Sequence, residues 1–377
     1  MRTKVDSDAH ATPSGREDLR IGVENLLDNY ARVGRYDYVV VAYTPDSRVH
    51  AARLCVNLEQ RGNRWVSVPM VPMIDPGFAA RLNAILPDEH DFSGNMVVIT
   101  LERDTMSHFE ALTPVFGRYG IARTKIVRVI SSTDEFFSHA LQLTPRELEQ
   151  RNATLLTRLR GEHEFRVTTA GGTDLMVGLD QSKYDWISNR GVLRPGAFTI
   201  LPPGEIATYP ASINGVLVAD GAINCNVICD LDMRLSSAPI TFEIVDSVIQ
   251  SYDCPRDDLA QFLKKSFNTP HATKVGELGF GTNAALPGFI AHNSHLNERR
   301  PGLHIGFGQH NQPLSVVPYD ARMHIDIITD GATLHLTNGE VDLANLVVDP
   351  AAEHPALIRD EDVTGDCCSS GCQVVVL

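Results

Sequence analysis

The sequence predicts two structural units in series: an α/β unit on a doubly wound, mainly parallel sheet, then a mainly antiparallel, β-rich α+β unit. Three observations predict this. At 377 residues the chain exceeds the ~250 to 300 residues at which a single hydrophobic core stops growing. Residues 18–142 alternate short apolar runs with segments of helical period, the pattern of a parallel sheet with crossover helices. From Glu164 onward the period becomes two, punctuated by glycine and proline, which suits antiparallel strands.

Taken in order, residues 1–17 are polar, include Pro13, Ser14 and Gly15, and read as a flexible arm. Asp18 to Val33 places Leu19, Val23, Leu26, Leu27 and Tyr30 at three- and four-residue steps, a helix. Tyr38 to Ala42 is an unbroken apolar run of the kind buried on both faces of a parallel sheet. The alternation repeats as helix 49–60, strand 65–71, helix 77–86, strand 95–101, helix 106–119 and strand 125–130. No phosphate-binding glycine loop accompanies it, so nucleotide binding is not expected. Thr44 and Asp46 follow the first strand and either line a cleft or cap the next helix. Residues 143–160 form a connecting helix with Leu148, Leu155, Leu156 and Leu159 on one face, residues 161–348 the β-rich unit, and residues 349–377 a cysteine-rich tail.

A composition of 43% apolar and 21% charged residues is that of a globular protein with ample core. The formal charge of −14 excludes nucleic acid and anionic membrane as natural partners, since both are bound through excess lysine and arginine. Cations and small molecules suit it better. No apolar run approaches the ~20 residues of a membrane span, and the opening residues lack the apolar segment of a signal peptide, so the expected location is the cytoplasm. Of the seven cysteines, Cys55, Cys225, Cys229 and Cys254 read as reduced thiols rather than as a disulfide framework.

The chemistry gathers late in the chain. Gly276 to Asn283 carries Glu277 among three glycines, Gly302 to Gly308 carries His304, and Met323 to Ile327 carries His324 and Asp326. On a strand, His324 and Asp326 point to the same face and can converge on one ion, and their apolar neighbours bury both. A buried aspartate is costly unless it is paired or metal-bound. Glu205, held between Pro202-Pro203-Gly204 and Pro210, is a placed carboxylate or a turn glutamate at the surface. Three such ligands would serve a mononuclear site, and five would serve two ions bridged by a carboxylate or water. His310 follows the His304 segment and is an acid/base or supporting candidate. His271, His292 and His295 lie nearby, the last two around a polar stretch, Asn293 to Arg300, that reads as an exposed loop.

These motifs resemble the aminopeptidase T family of metallo-aminopeptidases. The match runs through the proline turn at Leu201 to Pro210, the glycine-rich stretch, His304 to Gly308, and His324-Ile325-Asp326 followed by Gly331 and Asn338-Gly339. The resemblance implies metal ligands at Glu205, Glu277, His304, His324 and Asp326, with Glu205 or Glu277 also taking a proton in catalysis. Two carboxylates and two histidines suit Zn, Fe(II), Co or Mn, and the resemblance further implies a pair of divalent ions, a small peptide or amino-acid-derived substrate and a homodimer. One departure is clear. The family places a catalytic tyrosine seven residues after the histidine matched by His304, and this chain has Asn311 there. Loss of such an oxyanion-stabilising donor typically costs ~3 to 4 kcal/mol of barrier. The same superfamily includes iron(II) dioxygenases that cleave 2,5-dihydroxypyridine, so a His304, His324 and Asp326 triad holding iron(II) is the oxygenase alternative. A degenerate relative that only binds peptide or metal is the third. The tail, with Cys367, Cys368 and Cys372 before an apolar end, reads as a flexible terminus, a soft-metal ligand or a fused peptide substrate.

Overall fold

The computed structural model describes residues 13–356 and 358–360, so the thiols of the tail lie outside the described residues. The first unit begins with α1 (Pro13–Asn25), which starts inside the segment expected as an arm and continues through one π-type turn at Leu26–Tyr30. It proceeds through β1 (Tyr38–Tyr43), α2 (Arg48–Gln60), β2 (Arg64–Pro69), α3 (Phe78–Ile85), β3 (Met96–Leu101), α4 (Phe109–Leu112), α5 (Pro114–Tyr119), β4 (Thr124–Val129) and α6 (Pro145–Leu159). The single helix expected over 106–119 is two, because Pro114 has no N–H to donate and opens a new helix at its first position. The strands are parallel. Alternate side chains feed opposite cores: Val39 and Val41 of β1 pack with α1 and α2, whereas Val40 and Ala42 pack with α3 and α5. This two-sided burial is why the strands read as unbroken apolar runs. Thr44 hydrogen-bonds Asp46 beyond the end of β1.

The second unit contains β5 (Glu164–Thr168), β6 (Asp174–Gly178), β7 (Ile187–Asn189), β8 (Phe198–Leu201), β9 (Glu205–Thr208), β10 (Ser212–Ala219), β11 (Ala222–Cys225), β12 (Ile240–Val245) and β13 (Val248–Asp253). After these come α7 (Asp257–Ser266), β14 (Val275–Gly281), α8 (Leu296–Arg299), β15 (Gly302–Gly308), β16 (His324–Ile328), β17 (Thr333–Leu336), β18 (Gly339–Asp342) and β19 (Arg359–Asp360). Two seven-stranded sheets result, ordered β13-β12-β10-β6-β5-β17-β18 and β11-β16-β15-β14-β9-β7-β19, antiparallel except where β19 joins β7. Their facing side chains form one shared core. The outer sheet alternates buried and exposed positions, as Ile240–Val245 does, but β14, β15 and β16 are buried at every position.

One strand crosses the chain order. β8 pairs in parallel with β4 and completes the five-stranded sheet β2-β1-β3-β4-β8. The cis Leu201-Pro202 bond and Gly204, at φ +114°, then turn the chain into β9 of the inner sheet. Glu205 therefore sits at the seam of the two units. Asn283 ties the turn down, its Nδ2 donating to Pro203 O at 3.1 Å and to Ala140 O at 2.8 Å. From α6, fully buried Asn152 donates through Nδ2 to Ser188 Oγ (2.9 Å), Asn189 O (3.2 Å) and Glu205 O (2.9 Å), and accepts from Thr282 Oγ1 (2.5 Å). Asn152→Ala strands these groups and should destabilise the fold by roughly 2 to 4 kcal/mol, read as a lower urea midpoint at unchanged m-value.

Candidate metal centre

Period two sorts the inner sheet into a greasy face and a chemical face. Ile206, Leu278, Phe280, Leu303, Ile305, Phe307, Ile325 and Ile327 enter the shared core. Glu205, Glu277, His304, His324 and Asp326 occupy the alternate positions and point the other way. Every one of them faces a glycine across the ladder: Glu205 faces Gly281, Glu277 and Asp326 face Gly306, His304 faces Gly279, and His324 faces Gly308. The glycines are the space in which the ligands lie. A Cβ on Gly279 would stand 1.9 Å from His304 Nε2, and one on Gly306 would meet Glu277 Cβ at 2.8 Å and both Asp326 Oδ1 and His324 Cε1 at 3.0 Å.

The five side chains form two ligand groups that share one member. Glu205, Glu277 and His304 make the first and Glu277, His324 and Asp326 the second, with the ligand atoms of each group within 4.8 Å of one another. All five residues are buried. The donor atoms suit a cation. His324 Nδ1–H donates to Gln309 O at 2.8 Å, which directs Nε2 into the cluster, 3.0 Å from Asp326 Oδ1. Such a backbone bond is how metal-binding histidines are oriented. His304 Nε2 lies 2.8 Å from Glu205 Oε1 and 3.5 Å from Glu277 Oε1, and neither nitrogen of this buried ring makes a hydrogen bond. Clustered carboxylate oxygens and imidazole lone pairs repel one another without a proton or a metal ion between them.

Sequence reasoning missed the layer behind these ligands. The stretch expected as an exposed loop is buried from Leu296 to Arg299 as α8, and His292 and His295 are half-buried. The reason is local: α8 lies on Gly281, where a Cβ would meet Arg300 O at 2.0 Å and Glu298 O at 2.5 Å. Glu298 accepts from Asn224 Nδ2 at 2.5 Å and hydrogen-bonds Asp326. Burial and the nearby Asp326 charge push its carboxyl well above the usual range. Arg299 is ion-paired with Glu205 Oε2. No periodicity marks Asn224, Glu298 or Arg299.

His310 stands apart from the gathered ligands. Its Nε2–H donates to Tyr319 O at 2.7 Å and its Nδ1 accepts from Gln312 N at 3.3 Å, so both nitrogens are engaged in fixing the 309–312 turn. Asn311 donates to Glu277 Oε2 at 3.0 Å, and Gln312 Nε2 holds its oxygen at 2.7 Å. The side chain braces the shared ligand. Cys225 and Cys229 hydrogen-bond each other as free thiols.

Two outcomes follow from this geometry. Gly306→Ala should weaken divalent-metal affinity at least ~10-fold, the scale of damage to a ligand's supports, with an unchanged circular-dichroism spectrum; isothermal titration calorimetry reads it. Burial presses His324 toward neutrality, but the Asp326 charge and hydrogen bond, with Glu277 behind them, raise it from 6.5 to about 10 in the metal-free protein. A folded-state value above the unfolded one gives stability that is full below pH 6.5 and lost as pH rises through about 10. Metal-free wild type should therefore lose unfolding free energy across that window, a slope that His324→Gln removes.

Residues 206–337, which include four of the five gathered ligands, match the model of a family described as crocagin biosynthetic protein CgnE/B. No curated protein matches the chain. Among solved structures, 2,5-dihydroxypyridine dioxygenase from Pseudomonas putida KT2440 superposes with a TM-score of 0.60 at 16% identity, over 90% of this chain and 99% of that one. Wild-type AmpT from Thermus thermophilus superposes with a TM-score of 0.51 at 15% identity, over 88% of this chain and 100% of that one. These are the two kinds of protein that the motifs resemble. The chain thus shares one fold with an aminopeptidase and a dioxygenase, and it joins an α/β unit to an antiparallel β-rich unit.

Proposed function

We propose that this protein is a divalent-metal-dependent hydrolase of an amide or peptide bond in a small peptide or amino-acid-derived substrate. The observation that carries the reading is the position of Glu277, shared between two buried groups that each combine two carboxylates with one imidazole. Oxygen-rich sets of this kind suit zinc, cobalt or manganese. The oxygenase alternative needs two imidazoles and one carboxylate around one ion. His304, His324 and Asp326 are not one of the gathered groups among the described residues.

A bound divalent ion would supply Lewis acidity toward the substrate carbonyl and a water of lowered pKa. The protein's own residues divide the remaining work. Glu277, His324 and Asp326 hold the ion. Asn311 fixes Glu277 through a 3.0 Å hydrogen bond, and Glu298 with Asn224 fixes Asp326. Glu205 keeps Oε1 on the ligand side while Arg299 grips Oε2, which makes it the carboxylate placed to accept the proton of the attacking water. The absent tyrosine hydroxyl and the use of Asn311 as a brace point to a slow enzyme or to a substrate activated for attack.

The test is reconstitution. Chelated protein reloaded with Zn, Co, Mn or Fe(II) should hydrolyse members of an aminoacyl-amide and dipeptide panel with the first three ions. Glu205→Gln should lower kcat by ~10²- to 10⁴-fold at unchanged metal content, and Asp326→Ala should abolish metal binding. Oxygen uptake with Fe(II), and no hydrolysis with any ion, would make the oxygenase reading the right one.

A further inference from the structure

The two ligand groups are unequal because only one contains a built-in cation. Arg299 is 1% exposed, and its guanidinium meets three partners through Nε and Nη1. Its Nε donates to Pro202 O at 3.2 Å, its Nη1 lies 3.3 Å from Glu298 Oε1, and the same nitrogen is ion-paired with Glu205 Oε2. The backbone on either side is as firmly placed: Asn283 N donates to Arg299 O at 2.9 Å, and Gly281 leaves room for the turn. A guanidinium keeps its proton at any pH a protein survives, so this charge is permanent. It lies on the outer oxygen of a carboxylate whose inner oxygen faces His304 Nε2 at 2.8 Å.

The second group is built differently. Asp326 takes a hydrogen bond from Asn224 Nδ2 at 3.4 Å and another from Glu298, and Glu277 takes one from Asn311. These partners orient the carboxylates through hydrogen bonds, and the one imidazole against them, His324 Nε2 at 3.0 Å from Asp326 Oδ1, carries no permanent charge. A divalent ion in the first group would share Glu205 with a fixed positive charge inside a buried, weakly screened pocket. One in the second group would meet Glu277, Asp326 and the His324 imidazole, with no permanent cation ion-paired to them.

We propose that Arg299 stands in for a second metal ion, so that the centre is mononuclear: one divalent ion at Glu277, His324 and Asp326, with the Glu205–His304 half neutralised by the guanidinium. Arg299 is then a positioning residue. It fixes Glu205 as a proton acceptor rather than a ligand. The inference rests on the metal-hydrolase reading for its chemistry, but its test does not depend on turnover.

Wild type and Arg299→Met should be saturated with Co(II), freed of excess ion, and measured by inductively coupled plasma mass spectrometry and by low-temperature electron paramagnetic resonance. The expected result is one ion per chain in wild type with an uncoupled high-spin signal. Arg299→Met should hold two, with the signal attenuated by coupling through Glu277. Arg299→Lys, which keeps the charge, should hold one and guards against misreading a folding defect in Arg299→Met. Glu205→Gln should also hold one, with affinity within about threefold of wild type. Two ions in wild type, or a loss of the wild-type ion in Glu205→Gln, overturns the inference while leaving metal hydrolysis intact. One ion without amide hydrolysis overturns the functional reading and leaves the inference standing. No ion in wild type overturns both.

Discussion

The centre depends on a packing constraint. Three adjacent strands, β14, β15 and β16, are buried at every position, so any bulky polar side chain on them needs space made for it. Glycine directly across the ladder makes that space. The arrangement works in both directions, because a glycine opposite an apolar side chain would leave a void and a ligand opposite an alanine would clash. Ligand and glycine thus form one unit. The sheet can hold a charge-rich centre in its interior only because four small positions were surrendered to it.

This pairing also explains what could be read from the sequence. Glu277, His304, His324 and Asp326 were legible because period-two alternation fixes which face a strand residue takes, and glycines bordered the first two in the sequence. Glu205 was legible through the rigid prolines around it. Glu298, Arg299 and Asn224 were not, since their burial is decided by how a four-residue helix docks on Gly281. A short polar stretch carries no record of the surface it will meet. The two units emerged in outline for the same reason the ligands did. The recruitment of β8 into the parallel sheet did not, because strand periodicity records which side is buried and says nothing about which neighbour will supply the hydrogen bonds.

The two halves of the centre share an architecture but differ in how negative charge is met. In one half it is met by the permanent charge of a guanidinium brought in by α8, and in the other by the His324 imidazole and by groups that orient the carboxylates through hydrogen bonds. A ligand list read from motifs alone treats the five residues as equivalent. Their surroundings differ: Glu205 is ion-paired with Arg299, whereas Asn311 braces Glu277 and His310 fixes the turn that follows β15.

The proline turn after β8 has a mechanical consequence. Pro202 belongs to the step between the parallel sheet and the sandwich, and its carbonyl receives both Arg299 Nε and Asn189 Nδ2. Any rotation of one unit against the other must drag this carbonyl, and with it the guanidinium and the carboxylate it grips. The seam therefore acts as a gauge of alignment between the two halves of the molecule. Glu205 is set in place only when both units are docked, so partial unfolding of either would release its carboxylate from the guanidinium.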